Sequence, residues 1–340
     1  NIMDEIKKIK AKIDAARLPL GVQDRVNELV AEMELNPSNI HQLSRYIDIF
    51  LQLPWTASSK DILDLNYAKE KLDEFHYGLE DIKERVLEYI SVLGLQKERG
   101  SVSLSRAPVF LFSGLVGTGK TTMAQSIAAA LNRQFVRIPF GGLGDPYYLR
   151  GRSRFSPEAD PGAIIKSLIT AKTNNPVILL DEIDRIADEA FNTIMGTLVE
   201  LLDPEQNNRF VDHYLDYPFD LSQVIFCATC NNTNRLATAV LDRLEPIQMP
   251  SYNDQEKTVI GQKYIFPKVL ADSGLTQNDL LIDESVWPSI IRPLGFDAGV
   301  RTLKRNLETI ARKASLLIFS KKTNGQIVID NNNIKQFLSG

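Results

Sequence analysis

Cysteine is scarce in this sequence, because Cys227 and Cys230 are the only two among 340 residues. Their spacing in IFCATCNN matches the C-x-x-C pattern of redox and zinc sites. Zinc would need two further ligands, and the three histidines, His41, His76 and His213, are scattered along the chain. Residues three apart in a strand point to opposite faces, so we predict two small buried thiols and no metal or redox site here.

Neither sign of charge is in excess, and no long apolar run is present. Thirty-nine basic residues against forty-three acidic residues leave a net charge of −4. Bulk electrostatics therefore favours neither nucleic acid nor an anionic membrane surface. No segment approaches the roughly 18 apolar residues of a membrane span, and residues 1–16 lack the continuous apolar centre of a secretory signal. These absences predict an intracellular protein with no membrane partner.

The composition is that of a globular protein, since 44% of the residues are hydrophobic and 24% are charged. We predict a helical N-terminal linker over residues 1–58, a large α/β nucleotide-binding domain over 59–250 and a small, mainly helical lid over 251–340. The linker helices break near residues 19–21 and 36–37, where proline and glycine or asparagine interrupt the periodicity. Residues 59–98 predict two more helices, split at 76–78.

From Pro108 the pattern changes to short apolar strands that alternate with helices, which predicts a parallel sheet covered on both faces. Strands are predicted at VFLFS, FVRIPF, VILLD, VIFCAT and PIQM, and helices from Lys120 and near 162–173 and 188–202. Beyond Pro250 helical patterns dominate, including one over 283–295, and a weak strand is predicted at QIVID (326–330).

The stretch GLVGTGKT at 114–121 fits the phosphate-binding pattern G-x-x-x-x-G-K-[ST] and stands between a predicted strand and a predicted helix. Glycines let backbone N–H groups face phosphate oxygens, Lys120 adds positive charge at the β- and γ-phosphates, and Thr121 can ligate Mg²⁺. The predicted nucleotide-binding residues are Gly114, Val116, Gly117, Thr118, Gly119, Lys120, Thr121 and Thr122.

A second stretch, VILLDEID at 177–184, contains the acidic residues that a phosphate-binding loop needs as partners. Its acids follow a buried strand at the carboxyl end, where ligands of open α/β sheets bind. We predict that Asp181 holds the Mg²⁺ shell and that Glu182 polarises the attacking water, as in hydrolytic ATPases rather than kinases. Helix capping by Asp181 or Asp184 is the alternative interpretation.

The order of strand, phosphate loop, acidic strand, polar-ended strand and helical lid resembles the AAA+ ATPases. That resemblance implies a sensor role for Asn231, which follows CATC, and an arginine finger toward a neighbouring subunit for Arg243 in AVLDRLEPI. It implies a second sensor in the lid at Arg301, in GVRTLKR.

Finer features are similar to one AAA+ family, the Lon ATP-dependent proteases, over nearly the whole chain. The stretches are LPW at 53–55, HYGLEDIKERVLEYI at 76–90, LNRQFVRI at 131–138, LLDPEQNNRFVDHYLD at 201–216, FDLSQVIF at 219–226, LDRLEPIQMPSY at 241–252 and GVRTLKRNLETIARK at 299–313. In that family HYGL contacts adenine, which implies adenine contacts for Tyr77 and Gly78. A Lon-type proteolytic domain, with its serine–lysine dyad, is not encoded in these 340 residues.

The sequence departs from Lon in the pore loop, residues 150–162. Lon proteins usually carry RGHRRTYIGAMPG there, whereas this chain has RGRSRFSPEADPG, with Ser156 and Pro157 in place of the aromatic–aliphatic pair. Phe155, one residue away, is the candidate replacement for gripping substrate. The alternative is a loop that has lost its grip, because Pro157 restricts the residue before it and Glu158 and Asp160 repel acidic chains.

We therefore expect the ATPase module of a Lon-type protease, working with ATP and Mg²⁺ in a homo-oligomeric ring, typically a hexamer, on unfolded or damaged proteins. An AAA+ chaperone or remodeller without proteolysis is the first alternative, and a nucleic-acid motor is the second, disfavoured by the acidic net charge. NNPVILLDE and FDLSQVIF resemble the peroxisomal branch of the family, which predicts an organelle matrix, with mitochondria and bacterial cytosol as alternatives.

Overall fold

The computed structural model describes residues 2–100, 108–292 and 299–338. The first region is helical, as predicted, and its apolar positions Ile6, Ile9 and Ile13 repeat at helical spacing on the buried side of the first helix. The helices are α1 (Ile2–Ala15), α2 (Leu20–Leu35), α3 (Ile40–Gln52), α4 (Leu65–Phe75) and α5 (Glu80–Glu98).

The predicted break between α4 and α5 is confirmed. Asp64 caps the start of α4 by accepting a 2.8 Å hydrogen bond from the Tyr67 N–H. At the other end, Gly78 and Leu79 both adopt left-handed backbone conformations, with φ of 65° and 56°. This turn carries the HYGL stretch to the edge of the nucleotide site described below.

The α/β region contains a five-stranded parallel sheet in the order β2-β3-β6-β1-β7, which confirms the predicted fold class. The strands of this region are β1 (Val109–Ser113), β2 (Phe135–Pro139), β3 (Val177–Asp181), β4 (Phe210–Val211), β5 (Pro218–Phe219), β6 (Ile225–Cys230) and β7 (Leu244–Gln248). The helices are α6 (Lys120–Leu131), α7 (Ala163–Ala171), α8 (Asp188–Leu202) and α9 (Thr238–Leu241). The short hairpin of β4 and β5 is not among the strands that the sequence predicts.

Side chains on the two faces of the sheet pack into two different hydrophobic cores. Leu111 and Cys230 belong to the cluster that also contains the buried residues of α1–α3, whereas Phe110, Phe112 and Cys227 belong to the cluster with α4–α6. Burying a side chain of this size is worth about 1.5–3 kcal/mol. The N-terminal helices therefore share a core with one face of the sheet, and the boundary at residue 58 stays a prediction.

The C-terminal region has its own core, centred on Trp287, Leu307 and Ile310. Its elements are α10 (Asp254–Ile260), a π-helical turn (Gly261–Ile265), α11 (Phe266–Asp272), β8 (Leu280–Ile282), α12 (Trp287–Ile291), α13 (Arg301–Phe319), β9 (Ile327–Ile329) and α14 (Ile334–Leu338). The predicted strand at 326–330 is present, and it pairs in parallel with β8, which the sequence analysis missed. The last three residues of the helix predicted over 283–295 lie outside the described residues.

None of the helices in the described part of the chain is long and apolar enough to cross a lipid bilayer.

Candidate nucleotide site

The phosphate loop joins the end of β1 to the start of α6. Gly119 ends it with a φ of 89°, a left-handed conformation that favours glycine, and Lys120 begins the helix. The loop forms one wall of a cleft of about 440 Å³. The cleft is lined by Val116, Gly117, Thr118, Gly119, Lys120, Thr121, Thr122, Arg137, Asp181, Glu182, Asn231, Val300, Arg301 and Lys304.

The Lys120 ammonium is buried at the centre of this loop. It donates hydrogen bonds to the carbonyl oxygens of Gly114 at 2.8 Å and Leu115 at 2.9 Å, and to Asn231 Oδ1 at 2.9 Å. Burial lowers the pKa of Lys120, while the nearby carboxylates of Asp181 and Glu182 oppose that shift. A cation that is partly desolvated and held by neutral oxygens interacts strongly with an incoming anion.

Asp181 ends β3 and is almost fully buried. Its Oδ1 accepts hydrogen bonds from the Thr121 hydroxyl at 3.3 Å and from the Thr229 hydroxyl, and its Oδ2 accepts one from Arg137 Nε at 2.6 Å. A carboxylate beside a hydroxyl is a pair of hard oxygen donors, the kind that Mg²⁺ prefers. The residues present therefore fit the predicted metal.

Glu182 follows in a left-handed conformation with a φ of 60°, which is unusual for a residue with a side chain. Its N–H donates to Thr229 Oγ1 at 2.9 Å, and the same hydroxyl donates to Asp181. The Glu182 carboxylate lies over Gly141, where an added Cβ would stand 2.6 Å from Oε2. Gly141 thus leaves room for the carboxylate of Glu182, a residue that lines the cleft.

Asn231 follows directly on β6, and its position is fixed by Asp184. The Asp184 Oδ2 accepts hydrogen bonds from the N–H groups of Asn231 at 3.0 Å and Asn232 at 2.9 Å. The Asp184 carboxylate thus stabilises a turn by accepting from backbone N–H groups, much as the alternative prediction of a helix cap would require. The hydrogen bonds of the Asp181 carboxylate given above all come from side chains. Thr229 and Arg137 are site residues that the sequence analysis did not single out, and Asp184 was considered there only as a helix cap.

The lid reaches the phosphate loop through backbone contact. The Val300 N–H donates to Gly117 O at 3.0 Å, and an added Cβ on Gly299 would stand only 2.0 Å from that same oxygen. Arg301 begins α13 at this point and lines the cleft. The start of α13 is therefore tied to the loop that carries Lys120.

A second pocket, of about 410 Å³, adjoins the cleft and shares Gly119, Thr122, Val300 and Lys304 with it. Tyr77 lines this pocket, 6.5 Å from Tyr264 between ring centroids. Gly78 turns the chain beside it and is not among the lining residues. The pocket is more apolar than the cleft, as a base-binding pocket should be.

His76 also lines this pocket, and the sequence analysis, which quoted it as the first residue of HYGL, selected only Tyr77 and Gly78 from that stretch. Its side chain is buried, and its Nε2 has no hydrogen-bond partner in the described structure. Burial lowers the pKa of His76 to about 4, and the nearby Lys83 ammonium contributes in the same direction. His76 is thus a neutral imidazole beside Tyr77 whose Nε2 is enclosed by protein and has no partner in the described structure.

Four predicted residues line neither pocket: Gly78 and Gly114, which lie in the turns beside them, and Arg243 and Phe155, which lie elsewhere. Arg243 follows α9 and forms an ion pair with Asp203 at 3.5 Å, while its guanidinium also donates to Ala239 O at 2.8 Å. Phe155 is 75% exposed in the pore loop. Neither Arg243 nor Phe155 is brought to the chain's own phosphate loop.

The two cysteines are buried, unpaired thiols on opposite faces of β6, as predicted. Burial raises the pKa of each thiol to about 12. Within residues 2–100, 108–292 and 299–338 no group of three His, Cys, Asp or Glu side chains could hold a metal ion.

Two family models match the chain. Residues 110–252 match the ATPase family associated with various cellular activities (AAA), and residues 271–327 match the Lon protease AAA+ ATPase lid domain. These ranges correspond to the parallel sheet with its helices and to the C-terminal core.

Similar full-length proteins carry the name Lon protease. The Lon protease of Lawsonia intracellularis is 40% identical over 341 aligned residues, which cover 98% of this chain and 40% of that protein. That of Clostridioides difficile is 37% identical over 99% of this chain and 43% of its own length. Lon protease 2 of Thermus thermophilus is 39% identical over 93% of this chain and 40% of its own length. The chain thus spans less than half the length of these relatives.

Proposed function

Since this chain belongs to the Lon protease family, we propose that it is the ATPase module of a Lon-type ATP-dependent protease. It would couple ATP hydrolysis to the unfolding and translocation of damaged or unstable proteins. The observation that carries this proposal is the convergence of Lys120, Asp181 and Glu182 on one cleft closed by the lid. The match to the AAA family is enough to imply that the chain binds a nucleotide.

The phosphates of ATP would bind at the loop, where Lys120 exchanges its carbonyl partners for phosphate oxygens. Thr121 and Asp181 would hold Mg²⁺, which when bound neutralises charge on the phosphates. Glu182 then orients and polarises a water molecule for attack on the γ-phosphate, with Asn231 beside it. The hydroxyl of Thr229 holds the Glu182 backbone, so that the carboxylate stays in the cleft.

The adenine would occupy the second pocket. Tyr77 and Tyr264 offer ring faces for stacking on the base, and His76 lines the same pocket. Because the pocket shares Gly119 and Thr122 with the phosphate loop, one nucleotide spans both.

Arg301 of the lid would contact the phosphates in the same chain, and Arg243 would act on the nucleotide of a neighbouring subunit. The position of Arg243 outside its own cleft supports an action in trans, which requires a ring, and we propose a homohexamer. Within the ring, Phe155 would grip unfolded polypeptide. No membrane or nucleic-acid partner is proposed.

A remodeller without robust threading is the second candidate, and the pore loop favours it, because Ser156 and Pro157 replace the gripping pair. One of the arguments for it is weakened by the structure, since the Asp160 carboxylate is paired with Arg45 and Lys166 and does not present a free charge. A wild-type ring with a functional protease domain that unfolds no substrate would favour the remodeller.

The compartment rests on weaker support. The relatives named above are bacterial, and they give no support to the peroxisomal prediction. Bacterial cytoplasm is therefore the compartment that we propose.

The test of the proposal is Glu182→Gln. We expect ATP to bind with a dissociation constant within a few fold of wild type, while hydrolysis falls by about 10²–10⁴-fold because water activation is lost. Glu205→Gln, an exposed acid outside both pockets, is the matched control and should change neither value. Hydrolysis by Glu182→Gln at the wild-type rate would refute the assignment.

A further inference from the structure

Helix α3 of the N-terminal region contacts the pore loop directly. Gln42 Nε2 donates a 2.7 Å hydrogen bond to the Arg154 carbonyl oxygen, across 112 positions of sequence. Arg45 pairs with Asp160 at 3.3 Å, on the returning side of the loop. Both limbs of the loop are thus attached to one helix that lies outside the ATPase domain.

Between these two attachments, the Arg154 guanidinium lies between two aromatic rings. Its central carbon is 4.6 Å from the centroid of Tyr46, which comes from α3, and 4.4 Å from the centroid of Phe155. A planar guanidinium stacks on aromatic faces in a way that an ammonium does not reproduce. Arg154 therefore links the exposed Phe155 ring to a side chain of the N-terminal region.

Tyr46 is a rigid support for this stack. It is fully buried, its hydroxyl donates to Leu215 O, and its ring packs edge-on against Phe50 at 5.1 Å and Tyr214 at 5.6 Å between centroids. By contrast, Phe155 is 75% exposed and has one ring face covered by Arg154. The position of Phe155 thus depends on a stack whose other end is fixed in the core.

The base of the loop is fixed separately from the tip. The Gly162 N–H donates to Asp212 Oδ2 at 2.7 Å, and the Arg152 N–H donates to Asp160 O at 2.9 Å. Toward the tip, the Ser156 N–H donates to Ser153 O and the Ala159 N–H donates to Ser156 O, both within the loop. The tip therefore has local turns of its own, and the side chains of α3 supply its attachment to the rest of the molecule.

We propose that α3 positions the substrate-gripping tip of the pore loop, with Arg154 as the positioning residue that presents Phe155. This inference rests on the proposed function of the loop. It identifies the N-terminal helices as part of the substrate-handling apparatus, because the pose of the gripping aromatic is set by Tyr46 and Gln42.

The test compares Arg154→Ala, Arg154→Lys and Gln42→Ala with wild type in the assembled protein. The matched control is His41→Ala, an exposed neighbour on the same helix. Amide hydrogen exchange is measured at Ser156 and Ala159 in the tip of the loop, and at Arg152 in its base as an internal reference. ATP hydrolysis is measured against the concentration of reduced, carboxymethylated lactalbumin, a permanently unfolded polypeptide.

We expect Arg154→Ala and Gln42→Ala to speed exchange at Ser156 and Ala159 but not at Arg152, and to raise the half-maximal lactalbumin concentration by about three- to tenfold, the range for one lost hydrogen bond or stack. Arg154→Lys should recover part of the loss, because it keeps the charge without the planar stack, and His41→Ala should match wild type. Unchanged exchange and an unchanged half-maximal concentration in Arg154→Ala would overturn the inference.

A different result would refute the proposed function of the loop. If Phe155→Ala retains full stimulation by lactalbumin, the loop is not the gripping element. Faster exchange in Arg154→Ala would even then uphold the positioning of the loop by α3. If instead Phe155→Ala loses stimulation while Arg154→Ala and Gln42→Ala behave as wild type, the gripping role stands and the positioning role is wrong.

Discussion

The nucleotide cleft and the pore loop are held in place by different kinds of contact. In the cleft, Asp181 and Asn231 lie at or just beyond the carboxyl ends of β3 and β6, and the phosphate loop runs from the end of the neighbouring β1 to Lys120, so the hydrogen-bond ladder of the sheet brings them together. The tip of the pore loop is held by side chains of α3, across more than a hundred positions of sequence. A site whose residues are placed by strand pairing tolerates little change in sequence. The sequence of a loop held by side chains can diverge while the fold stays the same.

The largest expected effect comes from Arg243→Ala, which tests whether the cleft needs an arginine from a neighbouring subunit. An arginine finger at a γ-phosphate is worth about 10³–10⁵ in rate, so Arg243→Ala should lose hydrolysis to that extent. Mixing Arg243→Ala with Glu182→Gln subunits should restore some hydrolysis, because some interfaces then pair an intact finger with an intact Glu182. No recovery in rings shown to be mixed would refute an action between subunits.

Lys120→Ala sharpens the account of the cleft itself. Charge-assisted hydrogen bonds contribute about 1.5–3 kcal/mol, so ATP affinity measured by calorimetry should fall by roughly 10- to 150-fold. Lys322→Ala, on the exposed surface of the lid, is the control and should bind as wild type. An unchanged dissociation constant for Lys120→Ala would contradict the phosphate-loop assignment.

Thr229→Val examines a contact that joins the two acidic residues. The change removes the hydroxyl that accepts from the Glu182 N–H and donates to Asp181, which leaves a poorly solvated donor without a partner. We expect the free energy of unfolding in urea to fall by about 1–3 kcal/mol, with recovery in Thr229→Ser. Equal stability of the valine and threonine proteins would show that this bridge does not hold Glu182.

A pH-dependent effect is expected at the base of the pore loop. Burial raises the pKa of Asp212 to about 6, above its ordinary value, so the folded state binds this proton more tightly than the unfolded state. Stability from this group is therefore present at low pH and is lost as pH rises through about 4 to 6, by at most about 1.4 kcal/mol per pH unit. The free energy of unfolding of wild type relative to Asp212→Asn should follow that slope, and a constant difference would contradict it.

Much of this fold was predictable because its signals are local. The apolar run VILLD followed by acids predicted both β3 and an acidic residue, Asp181, at its carboxyl end, and the glycine pattern predicted the loop before α6. Thr229 was missed because a threonine in the apolar run VIFCATC is equally typical of a buried strand. Arg137 was missed because its partner lies on the neighbouring strand, and β8 because three residues carry too little periodicity. The contacts of Arg154 could not be predicted from the sequence, because they depend on where α3 packs in the folded protein.

The most direct test of the account is the ratio of ATP hydrolysis with and without an unfolded polypeptide in Phe155→Ala. Phe319→Ala is the control, because that phenylalanine is also exposed, at 92%, but lies on the lid. If hydrolysis in the cleft drives a loop that grips substrate, the ratio should fall to about one in Phe155→Ala and stay at the wild-type value in Phe319→Ala. A ratio in Phe155→Ala equal to that of wild type would contradict the claim that this loop couples substrate to the nucleotide cleft.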